Sequence, residues 1–356
     1  MHRRGTAAIR NALTRCMLPA ILAALTTTDA LATAPVCDSG TAPSPTMFAP
    51  RSVPAELILD LSWLVWAICA GIFLIMEALI IWCIVKYRRS KDDRTEAPQV
   101  YGSNPIELAW TVVPTLIVFV LFLVSARTIF EIDKSTPPEG SLEITVVGHQ
   151  WWWEFDYPEY GFITANELHV PLTRNGERVS IYLTLESNDV IHSFWVPQLG
   201  GKKDVVPNHI NHLWLEPTMP GTYVGQCAEY CGTQHANMLI TVVVHPEEDF
   251  EAWVAHQQKD AVHDMSVATG RDLFLRTACI NCHTIRGTVA NGSFAPDLTH
   301  LMSRSVIGAG VARNTPANLH SWVDDPQILK PGCRMPSMKL DQNGVDEIVK
   351  YLLTLK

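Results

Sequence analysis

The sequence lacks a basic excess. Lys and Arg number 27 against 36 Asp and Glu, a formal net charge of −9 over 356 residues, which excludes the cationic face that a nucleic-acid partner requires. It also lacks a disulfide framework. The nine cysteines are not distributed like those of a stapled scaffold; four form two tight pairs, Cys227/Cys231 and Cys279/Cys282, each with histidine close by. That clustering points to metal or haem chemistry. Nor is there a second Cys-x-x-Cys to complete a four-cysteine zinc site with Cys279 and Cys282.

What is present begins with apolar runs, which bring the hydrophobic share to 47% and add membrane segments to globular material. Residues 1–34 read as a secretory signal peptide. Arg3, Arg4, Arg10 and Arg15 form a basic start, residues 17–25 an apolar stretch too short to span, and Ala32-Thr33-Ala34 a small-residue cleavage site. Cys37 follows Ala34-Pro35-Val36, a poor lipoprotein signal. Residues 57–85 are apolar except for Asp60 and Glu77, and residues 108–130 except for Arg127; each is long enough to cross roughly 30 Å of hydrocarbon as a helix. The spacing predicts two transmembrane helices within 55–131. Lys86, Arg88, Arg89, Lys91 and Arg94 lie between them, so this loop is expected in the cytoplasm and everything C-terminal of the hairpin outside.

Between 140 and 245 the pattern turns to period two. Val179, Ile181, Leu183 and Leu185 alternate with Ser180, Tyr182, Thr184 and Glu186, the signature of a strand with one buried face. Residues 144–147, 210–215 and 239–244 read as further strands. Several short strands without helices predict an all-β sandwich or barrel. Residues 246–265 read as a polar linker with room for a short helix. The remainder, 266–356, reads as all-α: residues 273–277 lead into the second cysteine pair and 345–355 form a terminal amphipathic helix.

The segment Cys227-Ala228-Glu229-Tyr230-Cys231 continues through His235 to Met238, placing two thiols, an imidazole and a thioether on one loop. His192, just after a strand, offers a second imidazole. Soft sulfur with imidazole selects copper over hard cations, and two thiolates can bridge two coppers. A Cys227–Cys231 disulfide would leave His192, His235 and Met238 unexplained, and zinc gains nothing from a thioether.

These residues carry a resemblance. His192-Ser193-Phe194-Trp195-Val196-Pro197, the 227–238 loop, Gly148-His149-Gln150-Trp151-Trp152-Trp153 and the preceding hairpin together resemble cytochrome c oxidase subunit II over residues 55–245. The resemblance implies a cupredoxin-like domain with a binuclear copper centre, CuA. In it Cys227 and Cys231 would bridge, His192 and His235 would be terminal ligands, and Met238 and the Glu229 carbonyl weak axial ones. It also implies that the Glu229 side chain reaches a magnesium shared with subunit I and that Trp151 is the point of electron entry. Runs such as Trp151 to Trp153 otherwise mostly pack. Glu107, at the start of the second span, sits where the family has a glutamate at the mouth of a proton path, and equally where a helix dipole favours any carboxylate. Glu77, inside the first span, calls for a partner or for snorkelling.

Cys279-Ile280-Asn281-Cys282-His283 is the haem-attachment motif. Its thiols form thioethers and His283 becomes the proximal ligand; a redox dithiol is the competing reading. Ala295-Pro296-Asp297-Leu298 and Lys330-Pro331-Gly332-Cys333-Arg334-Met335-Pro336 resemble the proximal and distal segments of class I cytochromes c, a likeness covering 266–356. Met335, Met338, His300 and His320 are the distal candidates, and the high potential an electron donor needs favours Met335. Cys333 has no assignment, Cys69 and Cys83 are apolar filling, and the remaining histidines lack ligand spacing.

The resemblances together imply a multidomain subunit II: a two-helix transmembrane hairpin, a cupredoxin-like domain and a fused cytochrome c domain. Electrons would enter through covalent haem c and pass by CuA to subunit I, where oxygen is reduced with proton pumping. The implied partners are subunits I and III and an external cytochrome c or other donor. The implied place is the bacterial cytoplasmic membrane, with both soluble domains on its periplasmic face. A copper chaperone would need exposed, exchangeable ligands, a nitrous-oxide-type reductase many further histidines, and a quinol-oxidase subunit no thiols.

Overall fold

The computed structural model describes residues 45–88, 96 and 98–356. The signal-peptide segment, Cys37, Arg89, Lys91 and Arg94 lie outside them. Two helices come first: α1 (Val53–Lys86) and α2 (Asn104–Ile132), each with proline in its first turn, where the missing N–H leaves no bond unmade. The 34 residues of α1 make about 51 Å of helix, well beyond a hydrocarbon core of roughly 30 Å. Its first turn therefore belongs to the next domain: Pro54 and Ala55 are buried, Val53 N–H donates to the Glu216 carbonyl at 3.1 Å, and the Glu216 N–H donates to Ser52 Oγ at 3.0 Å. The end of α2 is held likewise, by Trp214 Nε1 donating to the Ile132 carbonyl at 2.6 Å. Between these anchors the helices are apolar and expose their sides.

The strands are β1 (Leu142–His149), β2 (Trp152–Tyr157), β3 (Phe162–Ala165), β4 (Glu167–Pro171), a small β5 (Thr173–Arg174) and β6 (Glu177–Arg178) hairpin, β7 (Ile181–Ser187), β8 (His192–Trp195), β9 (Lys203–Val205), β10 (Asn211–Leu215), β11 (Gly221–Cys227) and β12 (Leu239–His245). They form two five-stranded sheets, ordered β10-β7-β1-β2-β3 and β4-β12-β11-β8-β9. The β1/β7 and β12/β4 pairs are parallel and the other pairs in these sheets antiparallel. Ile144, Val146, Ile181, Leu183 and Leu185 of one sheet share a core with Leu168, Val170, Ile240, Val242 and Val244 of the other. The alternation along β7 holds except at Tyr182, which is also buried; its ring stacks on His212, 5.1 Å between centroids, on the outer side of the sheet. Residues 247–257 form helix α3 (Glu247–Gln257), whose Phe250 and Val254 complete the sandwich core.

The C-terminal part has its own core, built from Phe274, Ile285, Leu319, Val345, Ile348 and Leu352 among others. Its elements are α4 (Ala268–Arg276), a two-residue hairpin β13 (Val306–Ile307) and β14 (Ala312–Arg313), then α5 (Pro316–Asp324), α6 (Pro326–Leu329) and α7 (Gln342–Leu352). Thr315, Asp325 and Asp341 cap the last three helices by accepting backbone N–H groups. Helices α4 and α7 cross at Gly270, where a Cβ would sit 1.9 Å from the Glu347 carbonyl oxygen; only glycine lets the backbones approach that closely.

Candidate metal centre and haem cradle

The 227–238 loop joins β11 to β12 and folds its donors inward. Cys227 Sγ and Cys231 Sγ are 3.8 Å apart, too far for a disulfide. With metal–sulfur bonds of about 2.3 Å, sulfurs at that separation can reach the same ion. The other donors divide between the two thiols. His192 Nδ1 lies 3.9 Å from Cys227 Sγ and the Glu229 carbonyl 3.2 Å from it. On the other side, His235 Nδ1 lies 3.6 Å and Met238 Sδ 3.9 Å from Cys231 Sγ. All six groups expected from the sequence are thus in one place, with His192, Cys227, Cys231 and Met238 buried. The two halves sharing two sulfurs suit a pair of soft ions rather than one hard cation. The thiols titrate as a pair: the S–H of Cys231 beside it pulls Cys227 well below the usual thiol range, and Cys231 is pushed up in turn by its bond to Cys227.

His192 is oriented by a residue absent from the expected site set. Its Nε2 lies 2.8 Å from Asp189 Oδ1, and a carboxylate there makes Nε2 the protonated nitrogen, leaving the Nδ1 lone pair to face the sulfurs. Burial is the largest single influence and opposes charge on this ring, but the Asp189 carboxylate and the Cys227 sulfur together outweigh it and hold the imidazole pKa up. Asp189 is fixed in turn by the Gln150 N–H at 2.6 Å. Behind the ring, a Cβ on Gly148 would come within 2.8 Å of His192 Cδ2, so β1 has no room for a side chain there. An Asp three residues before a ligand-type His in a strand-entry turn is the only signal the sequence offers, and a weak one.

In the C-terminal domain Cys279, Cys282 and His283 line a cavity of about 340 Å³, together with Met335 and Met338. Burial keeps the His283 imidazole neutral by lowering its pKa, and its Nδ1 donates to the Pro296 carbonyl at 2.8 Å, leaving Nε2 free toward the cavity. That is the tautomer an iron ligand needs, and the thiol pair, imidazole and thioethers around one apolar cavity fit a covalent haem. His300 and His320 are not among the lining residues. Both ring nitrogens of His300 engage carbonyls, of Lys356 at 2.8 Å and Lys259 at 3.0 Å, and His320 pairs with Asp346 at 3.0 Å. The Met335 loop is shaped by Gln327, another residue the sequence did not flag. Its amide donates to the carbonyls of Cys333 at 3.0 Å and Met335 at 2.9 Å, and accepts from Gly332 N–H at 2.7 Å. Cys333, without an expected role, lies inside this turn and its thiol points to the Met335 carbonyl at 3.6 Å.

The two sites share a wall. His149, Trp151 and Trp152 of the sandwich line the haem cavity, while Trp151 Nε1 donates to the Cys231 carbonyl at 3.0 Å and Gln150 Nε2 to the same oxygen at 2.8 Å. The domains are further joined by Arg334 bonding to the Gln150 side chain, Gln234 to the Pro331 carbonyl, and buried Glu167 accepting from Ser305 N–H at 2.7 Å. Glu107 is remote, about 38 Å along α2 from Ile132 at 1.5 Å per residue; its carboxylate accepts from Ser103 N–H at 3.2 Å and so caps its own helix.

A two-helix membrane hairpin, a cupredoxin-like sandwich with a sulfur-rich donor cluster and a helical cytochrome c domain define a membrane-bound multidomain subunit with a soluble C-terminal portion. Residues 47–128 match the family described as cytochrome C oxidase subunit II, transmembrane domain, residues 176–245 its periplasmic domain, and residues 267–356 cytochrome c. The chain is 35% identical over 318 residues to cytochrome c oxidase subunit 2 of Alkalihalophilus pseudofirmus, covering 87% of this chain and 91% of that protein. It is 30% identical over 299 residues to the subunit 2 of Bacillus subtilis, covering 78% and 82%. A crystal structure of the periplasmic domain of cytochrome oxidase subunit II from Bradyrhizobium japonicum covers 35% of this chain and 97% of its own, at 30% identity and a TM-score of 0.32. The chain belongs to the cytochrome c oxidase subunit II family. Membership makes it a subunit of a haem–copper oxidase, associated with subunit I, and implies CuA and haem c as its cofactors.

Proposed function

We propose that this subunit accepts electrons in its C-terminal domain and hands them singly through the sandwich to subunit I, where oxygen is reduced to water with proton pumping. When bound, a haem and a pair of coppers would each supply a one-electron site. The chain's own residues set those sites. Cys279 and Cys282 would anchor the haem, with His283 and Met335 as its axial pair. Cys227 and Cys231 would bridge the coppers, with His192 and the Glu229 carbonyl serving one and His235 and Met238 the other. The carboxylate of Glu229 is exposed and is assigned to a magnesium shared with subunit I. Glu107 is assigned to the proton-path mouth. The basic residues between the spans favour a cytoplasmic loop, which puts both soluble domains on the periplasmic face of a bacterial cytoplasmic membrane. Domains at 55–131, 140–245 and 266–356, a subunit III neighbour and an external cytochrome c or similar donor complete the reading.

The observation that supports it is the shared wall: one indole, Trp151, both lines the cavity that holds Cys279, Cys282 and His283 and hydrogen-bonds the Cys231 carbonyl. Electron paramagnetic resonance on the intact chain loaded with copper and haem tests it. An unpaired electron spread equally over two copper nuclei is expected; an electron confined to one copper overturns the binuclear assignment.

Two further outcomes follow from the contacts. Asp189→Ala removes the partner that fixes the His192 tautomer, and copper affinity in a chelator competition is expected to fall about 10- to 100-fold, with Asp189→Asn falling less because an amide oxygen still accepts from Nε2–H. Equal affinity in both variants and wild type contradicts the orienting role. Trp151→Phe removes the bond to the Cys231 carbonyl but keeps an aromatic wall. Both metal spectra should persist while haem-to-copper transfer slows, and reduction by an added soluble cytochrome is the comparison. Unchanged rates from tethered and added donors remove Trp151 from the path.

A further inference from the structure

Lys330 belongs to the helical domain, five residues before Met335, yet it is only 2% exposed. Its ammonium donates to three main-chain carbonyls: Trp151 at 2.8 Å, Asn237 at 2.8 Å and Gly308 at 2.7 Å. Three N–H groups meeting three acceptors exhaust the donors of a lysine. Two of the acceptors belong to the sandwich: Asn237 lies within its metal loop, next to Met238, and Trp151 bonds to the Cys231 carbonyl of that loop. The third belongs to the β13–β14 turn of the helical domain. Beside it runs a backbone bond across the same seam, Leu239 N–H to the Ala309 carbonyl at 3.0 Å.

We infer that Lys330 is the positioning residue that locks the haem cradle onto the metal loop, fixing the orientation in which the two sites exchange electrons. The inference deepens the electron-transfer reading and rests on it. A covalent tether by itself raises the effective concentration of one domain at the other, to millimolar for a short linker, but it does not choose an orientation. Apolar contact across the seam sets a separation and tolerates sliding. A buried nitrogen bonded to three fixed carbonyls from both domains opposes sliding at that point, and with the Leu239–Ala309 and Glu167–Ser305 bonds elsewhere along the seam it opposes rotation as well, so the domains transfer from one docked geometry without a search.

The test uses the full chain in detergent, loaded with copper and haem, as wild type, Lys330→Met and Lys330→Arg. Hydrogen exchange is followed at residues 237–240 and 306–310, and haem-to-copper transfer after flash reduction is timed in solutions of rising viscosity. Wild type is expected to exchange slowly in both segments and to transfer at a viscosity-independent rate. In Lys330→Met both segments should exchange at least about tenfold faster, as a local opening does, while β1 amides stay unchanged and transfer becomes slower and viscosity-dependent. Lys330→Arg keeps the charge, but a planar fork cannot place three N–H groups around one nitrogen position, so the same changes are expected at smaller size. Wild-type exchange and viscosity-independent transfer in both variants overturn the inference. Should Lys330→Met not accumulate folded, Lys330→Arg decides by the same criteria. Absence of the two-copper or haem spectrum from wild type would sink the electron-transfer reading instead, and the exchange data would still decide the docking role.

Discussion

Cys231→Ser is expected to abolish the shared-electron copper signal, lower bound copper to at most one ion, and leave the haem spectrum intact. Cys231 is the sulfur nearest three other donors, Cys227 Sγ at 3.8 Å, His235 Nδ1 at 3.6 Å and Met238 Sδ at 3.9 Å. A serine hydroxyl is a hard, protonated donor that binds soft copper poorly. Losing an outer-shell partner already costs about 10- to 100-fold in metal affinity, so losing a bridge costs more. The haem motif sits on a separate core, with Phe274, Ile285 and Leu352 around it rather than any residue of the copper loop, which is why its spectrum should not move. Copper analysis and electron paramagnetic resonance on the same sample decide it. A variant that keeps two coppers and normal transfer removes the bridging role from Cys231.

The elements legible in the sequence were those whose signal is carried by side-chain pattern. Period-two burial along β7 and β12, apolar length in α1 and α2, and Cys/His/Met spacing in the 227–238 loop and at Cys279 to His283 all depend on residue types a linear reading can weigh. For residues 247–257 the sequence allows a short helix within a polar linker, but the acidic residues that open it hide its packing role. Phe250 and Val254, one helical turn apart, carry the apolar face that packs on the sandwich, a signal diluted by its neighbours. Tyr182 was assigned to the polar side of its strand because periodicity cannot tell that His212 covers the outer face there.

What was not legible is mostly made of main-chain atoms. Lys330 has three carbonyl partners, at Trp151, Asn237 and Gly308, and no residue type announces a carbonyl. The same is true of Gln327 and the backbone of the Met335 loop. Gln150 reaches Asp189 and Cys231 only because the end of β1, the turn before β8 and the 227–238 loop meet in space, whereas the Asp189–His192 contact is local to that turn. Such outer contacts are fixed by tertiary structure, whereas the inner donors must be chemically apt residues and so stand out.

The distal haem ligand separates these two kinds of information. Met335 and Met338 both line the cavity, so the lining alone does not choose between them, while His300 and His320 are committed to other partners. The loop favours Met335. Its carbonyl is held by Gln327, Pro331 and Pro336 restrict φ on either side, and Lys330 and Arg334 tie the segment to the sandwich. Met338 follows Pro336 and Ser337 with no comparable bond to its own backbone among the described contacts. Met335→Leu is therefore expected to abolish the sulfur–iron charge-transfer band and to lower the haem potential, since thioether ligation raises it. A drop of at least one tenfold step in the one-electron equilibrium, about 59 mV, would make transfer from haem to copper more favourable and reduction of the haem by the external donor less so. Met338→Leu should shift both readings only slightly. Redox titration with near-infrared spectra of the two variants decides it: loss of the band in Met338→Leu alone moves the ligand to Met338, and survival of the band in both variants excludes both thioethers.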